Sequence, residues 1–126
     1  MSSELNIRPV TFDDAITVID NPIYAIHDLS IKDSKGRVAF TTSITNLKPY
    51  MQTHGHDHPS WEVYEFIQGK GLLMIDNEAH NAIPGLWYFI EPGRFHKVIN
   101  ISADNLIFRC YAVGQVKRPH LAVKRQ

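Results

Sequence analysis

Thr53-His54-Gly55-His56-Asp57-His58-Pro59-Ser60 leads directly into Trp61-Glu62-Val63-Tyr64-Glu65-Phe66-Ile67-Gln68. Three histidines at alternate positions thus precede a segment of strand character. Side chains in a strand alternate faces, so Glu62, Tyr64 and Phe66 share one face and Trp61, Val63, Glu65 and Ile67 the other. If His56 and His58 lie along an extended edge, their imidazoles point the same way, and a returning strand brings Glu62 level with them. Neutral imidazole nitrogens with one carboxylate suit Mn, Fe, Co, Ni or Zn and leave positions open for substrate or water. An isolated run of this kind is more often a loop that collects metal incidentally. Partners elsewhere in the chain have to decide.

On either side of this stretch, short apolar or alternating segments are broken by turn formers about every ten residues, the pattern of a β-sandwich or barrel. Strands are expected over 5–10, 23–31, 38–45, 61–68, 72–76, 86–90, 96–101 and 106–113. Asp33-Ser34-Lys35-Gly36, Gln68-Gly69-Lys70-Gly71, Asp76-Asn77-Glu78, Pro84-Gly85, Pro92-Gly93 and Ala103-Asp104-Asn105 separate them. One peripheral helix is expected over 12–19, capped by Thr11, with Asp13 and Asp14 in its first turn and Asn21-Pro22 ending it. The expected fold is all-β: a small closed barrel or jelly roll with one short helix.

The 126 residues fit one domain, and 44% hydrophobic content supplies a core. Lysine plus arginine (13) equals aspartate plus glutamate (13), so the net charge is zero. That balance argues against nucleic acid as the main partner. Nothing reads as a signal peptide or a membrane span, and a cytoplasmic location is the expectation. Cys110 is the only cysteine, so no internal disulfide forms, and its apolar neighbours make it a packed small hydrophobe. His27, His80 and His120 have no partner pattern and read as structural or solvated.

The run His56-x-His58, three residues, Glu62, six residues, Gly69 resembles the first cupin motif. Gly85, six residues, Pro92-Gly93, two residues, His96, three residues, Asn100 resembles the second, with Glu91 where the family usually has proline. The resemblance implies a single cupin domain over 1–126, its core at about 38–113. It also implies His56, His58, Glu62 and His96 as ligands of one divalent transition metal. Glu91 reads as turn surface or as a group near the metal, and Glu65 as outward and solvated.

Within the cupins, Phe40-Thr41-Thr42-Ser43, the 53–58 run, Glu62-Val63-Tyr64, Gly69-Lys70-Gly71 and His96-Lys97-Val98-Ile99-Asn100-Ile101 are similar to the archaeal-type glucose-6-phosphate isomerases. Pro22-Ile23-Tyr24 falls where those enzymes carry a phosphate-contacting tyrosine. The resemblance implies that Tyr24, Ser43 or Thr42, Thr53 and the backbone of Gly55 hold a substrate phosphate. His54 is either a substrate group or exposed. Tyr64 is implied beside the metal, and Glu62 as the carboxylate moving a proton between the first two sugar carbons, with a hydride shift as the alternative if Glu62 is a tight ligand. The spacer before Glu62 is shorter than in those isomerases, and no match to their C-terminal His/Tyr segment follows Val113. An iron-dependent dioxygenase or lyase of a small acid is the alternative, as is a non-catalytic ligand-binding cupin. Unpaired barrel edges favour a homodimer.

Overall fold

The computed structural model describes residues 10–57 and 59–113. Among them, nine antiparallel strands form two sheets. The strands are β1 (Ile16–Asp20), β2 (Tyr24–Lys32), β3 (Val38–Leu47), β4 (Trp61–Gln68), β5 (Gly71–Ile75), β6 (Glu78–Ala82), β7 (Trp87–Ile90), β8 (His96–Asn100) and β9 (Leu106–Val113). The larger sheet has the order β1-β2-β3-β9-β4-β7, the smaller β6-β5-β8. The expected all-β barrel is the fold observed. Of the expected strand over 5–10, only Val10 lies within the described residues, and it is not in a strand. No helix of the described residues is long and apolar enough to cross a membrane.

The expected helix over 12–19 is a correction. Only Phe12–Asp14 is helical, as one 3-10 turn, and Ile16–Asp20 is a strand instead. Thr11 does cap the turn: its Oγ1 accepts from Asp13 N at 3.2 Å, and its N–H donates to Asp14 Oδ2 at 2.9 Å. Beyond the cap, Ile16-Thr17-Val18-Ile19 is wholly β-branched, which disfavours helix and suits pairing with the edge of β2. Asn21-Pro22 therefore closes a hairpin, where Asn21 Oδ1 accepts from Ile23 N (2.8 Å) and Tyr24 N (3.0 Å). Strand β6 was not expected either. Glu78-Ala79-His80-Asn81-Ala82 has little intrinsic strand preference, and it pairs because the Asp76-Asn77 turn, with Asp76 at φ 54°, folds it back on β5.

Strand registers place Tyr24, Ile26 and Asp28 of β2 on the same face as Ser43, Thr45 and Leu47 of β3. Leu106, Phe108 and Cys110 of β9, and Glu62, Tyr64 and Phe66 of β4, continue that face. Its lower rows meet Leu73, Ala82 and Val98 of the smaller sheet in one buried core. Gly69 sits where the chain leaves one sheet for the other. Its φ of +98° suits glycine, and a Cβ there would stand 2.6 Å from Asn105 O.

Asn100 fixes the closed end of the barrel. Its Nδ2 donates to Leu47 O (3.1 Å), Lys48 O (3.1 Å) and Asp104 O (2.8 Å), and its Oδ1 accepts from Ser102 N at 3.0 Å. The residue is 1% exposed. Asn100→Ala leaves several buried carbonyls without donors at about 1–3 kcal/mol each, so chemical denaturation should show a loss of roughly 3 kcal/mol. A loss below about 1 kcal/mol would show that water replaces the amide there.

Candidate metal centre

His56 and His96 are positioned by backbone pairing. Met51–His56 runs antiparallel along the free edge of β8 as an interrupted strand, with isolated bridges at Gln52↔Ile99 and His56↔His96. Thr53 N donates to Val98 O (2.9 Å), and Val98 N donates to Thr53 Oγ1 (3.0 Å). His56 and His96 then exchange both backbone bonds, at 3.2 and 3.0 Å. Their rings consequently face one another edge-on, 4.5 Å apart. Gly55 lies directly beneath Phe95, where a Cβ would fall 1.8 Å from the ring.

From the opposite sheet, the start of β4 brings in Glu62. Its Oε1 is 3.3 Å from His96 Nε2. Ligand atoms of His56, Glu62 and His96 all lie within 4.8 Å of one another. His96 is 1% exposed, and its Nδ1 is 2.9 Å from Arg94 O. A carbonyl can only accept, so Nδ1 carries a proton, and Nε2 is the ring atom turned to the Glu62 carboxylate. A buried imidazole nitrogen and a carboxylate oxygen at this distance are suited to sharing a proton or a cation. The donor set therefore fits a divalent ion, and the Nδ1–H···O=C bond is the usual outer support of a metal-bound histidine. His58 lies outside the described residues.

The other expected site residues are not gathered into one cluster. Tyr24 packs against the core, at the Leu47 level of the barrel. Thr42 points to the outer face, where its Oγ1 donates to Cys110 O (2.9 Å) and it lines an open groove with Val10, Phe12, Leu29, Ile44, Arg109 and Tyr111. Ser43 faces inward, one residue of parity away. Thr53 is engaged with β8, Gly55 is covered by Phe95, and His54 is exposed. Glu91 is on the turn surface, 3.9 Å from Arg94, whose guanidinium also pairs with Asp76. Glu65 is not solvated alone: its Oε1 accepts from Tyr111 Oη at 2.9 Å.

Tyr64 stands under the metal residues, edge-on to His96 at 5.6 Å and stacked on Phe108 at 5.2 Å. Burial, with Glu62 adding, holds its phenol well above the ordinary range, so it stays a neutral hydrogen-bond donor. The sequence reading did not mark as site residues Cys110, which lies beside Glu62, or Asp28, which interacts with Cys110 on the same inner face. Burial pushes the Cys110 thiol well up, and Glu62 beside it pushes further. A thiol so placed is a poor nucleophile. In the native protein it should react with Ellman's reagent at least ten times more slowly than after unfolding in guanidinium; equal rates would show that the site is open to the reagent. Strand alternation alone puts Asp28 on one of two faces, and only the register with β3 says which.

No family model matches the chain. A curated relative, the uncharacterized protein MJ1618 of Methanocaldococcus jannaschii, is 35% identical over 57 residues. That match spans 45% of this chain and 45% of the relative, under half the length of each. Among solved structures, the plu4264 protein of Photorhabdus luminescens aligns with a TM-score of 0.66 at 19% identity, over 84% of this chain and 85% of that one. A predicted oxalate decarboxylase from Thermotoga maritima gives 0.64 at 15%, over 84% and 98%. A Bacillus subtilis oxalate decarboxylase variant gives 0.68 at 15%, over 82% of this chain and 28% of that one. These neighbours are cupin-type proteins, and at such identities the likeness speaks for the fold. The chain therefore has the fold of these neighbours, a small β-barrel of cupin type, and His56, Glu62 and His96 form its candidate centre for a divalent metal.

Proposed function

We propose that the protein is a metal-dependent cupin enzyme that interconverts a small aldose and ketose at one divalent ion held by His56, His58, Glu62 and His96. The observation that carries this reading is the buried approach of Glu62 Oε1 to His96 Nε2 at 3.3 Å. When bound, the ion would polarise the neighbouring carbonyl and hydroxyl oxygens of the sugar. The chain's own groups do the rest. Glu62 moves a proton between the first two sugar carbons through an enediol, and Tyr64 donates its phenolic hydrogen bond to a substrate oxygen. Thr53 and its bonds to β8 hold His56 in place. A sugar phosphate is the substrate that the sequence resemblance favours. Protein loaded in turn with Mn, Fe, Co, Ni and Zn should convert fructose 6-phosphate or a related ketose to its aldose. No turnover with any of the five overturns the isomerase reading.

A second reading draws on the dispersal of Tyr24 and Thr42 away from the metal residues. An iron-dependent dioxygenase or a lyase of a small acid needs the metal ligands but no phosphate cradle. Oxygen uptake by the ferrous protein across a panel of small carboxylic acids separates the dioxygenase from the isomerase, and carbon dioxide release identifies a decarboxylating lyase.

A further inference from the structure

Asp28, Ser43, Cys110 and Tyr64 form one continuous row across four strands. Asp28 is paired with Ser43, Ser43 with Cys110, and Cys110 with Tyr64, so all four side chains stand on the inner face of the larger sheet. Glu62 is the next inward residue on β4, and Cys110 interacts with Glu62, with Ser43 and with Asp28. The row is therefore continuous with the metal centre.

Asp28 is the anomaly in it. Its carboxylate is partly withdrawn from water, yet among the described residues it has no hydrogen bond and no ion pair. On its other side β1 offers Ile16. The cation closest in register, Arg109, is on the opposite face of the sheet with Glu65 and Tyr111. Desolvation raises the Asp28 carboxyl above its ordinary value, the direction expected where no donor compensates the charge. A partly buried carboxylate without donors costs the fold stability and is retained where a ligand supplies the donors.

We propose that Asp28, with Ser43 and Cys110, is the specificity wall of the centre: it accepts hydrogen bonds from the hydroxyl groups of a metal-bound, polyhydroxylated ligand and turns phosphate and carboxylate groups away. This rests on the metal-centre reading above and names the class of ligand that the centre takes. Asp28 directly opposes Ser43, so a phosphate placed at Ser43 would face a carboxylate of like sign. A sugar phosphate would have to present its hydroxylated carbons to this wall and carry its phosphate elsewhere.

The test uses the full chain loaded with cobalt(II), read by the cobalt d–d absorption. Wild type, Asp28→Asn and Asp28→Ser are titrated with D-xylulose as the neutral polyol and with oxalate and inorganic phosphate as anions. Both variants should bind each anion at least tenfold more tightly than wild type and D-xylulose at least fivefold more weakly, with cobalt affinity unchanged. Changes under twofold in the anion constants overturn the proposal, as does a wild type that shows no spectral response to D-xylulose. Failure of both variants to fold also overturns it, because a residue acting only on ligand is dispensable to the fold. Failure of wild type to bind cobalt sinks the metal-centre reading itself, a result separable from all of these.

Discussion

Replacing His96 by alanine should lower the affinity for a divalent ion by about 100-fold or more, since losing even the outer partners of metal ligands costs 10–100-fold. The expectation follows from three features of this imidazole. It is buried to 1% exposure, its Nδ1 is committed to Arg94 O, and its Nε2 faces Glu62 Oε1 at 3.3 Å. Without the ring, His56 and Glu62 lose the third ligand atom of the group. Isothermal titration of zinc or cobalt into the metal-free variant measures the loss. His54→Ala is the control: that side chain is exposed, and its removal should leave affinity within twofold. Equal losses in the two variants would mean that the histidine run at large, and not the built site, collects the metal.

The largest loss of stability should come from Phe66→Ala. Phe66 is 1% exposed and lies within aromatic contact of Phe108 (5.5 Å), Tyr88 (6.1 Å) and Tyr64 (6.3 Å). Removing a buried phenylalanine costs about 3–5 kcal/mol, partly in transfer free energy and partly in the cavity left behind. Two features place Phe66 at the upper end. Its neighbours are rings in fixed relative orientations, which relax poorly into a void, and two of its strand partners are pinned by registers on both edges of β4. Urea denaturation of the metal-free protein gives the value at constant m. A loss below about 1.5 kcal/mol would show that this core collapses around the gap. Tyr64 stacks on Phe108 within the same cluster, so the variant should also weaken metal binding by displacing the residues beneath the centre.

Strands 61–68 and 106–113 were legible as apolar or alternating segments between turn residues, and both have those bounds in the structure. They lie side by side in the larger sheet, half-buried, where one face must be apolar and the other need not be. The turn at Asp33–Gly36 was equally legible, because Asp33 Oδ1 collects the amides of Lys35 (2.8 Å) and Arg37 (3.0 Å), as turn-forming aspartates do. The elements at the sheet margins were less legible. β1 is exposed along its whole length, so no burial pattern marked it, and its capping signal belonged to a 3-10 turn. β6 is specified by its hairpin partner more than by its own residues.

At the site, Glu62 and His96 are far apart in sequence, and only their motif context joined them to His56. What the sequence could not supply was register. A shift of one residue exchanges the faces of a strand, so Thr42 and Ser43 were equivalent on the page but stand on opposite sides of β3. The same ambiguity hid Cys110, which lies beside Glu62, and Asp28, which joins its row only once β2, β3, β9 and β4 are laid in order.

The donor set of imidazoles and one carboxylate accommodates several divalent ions, and metal availability decides among them. His56, Glu62 and His96 are proposed to hold one such ion. Elemental analysis of the protein purified without added metal, followed by titration of the metal-free protein with Mn, Fe, Co, Ni and Zn, tests it most directly. Saturation at about one ion per chain is expected for at least one of these metals, abolished by His96→Ala. Absence of stoichiometric binding by all five, in protein with its native melting transition, would contradict it.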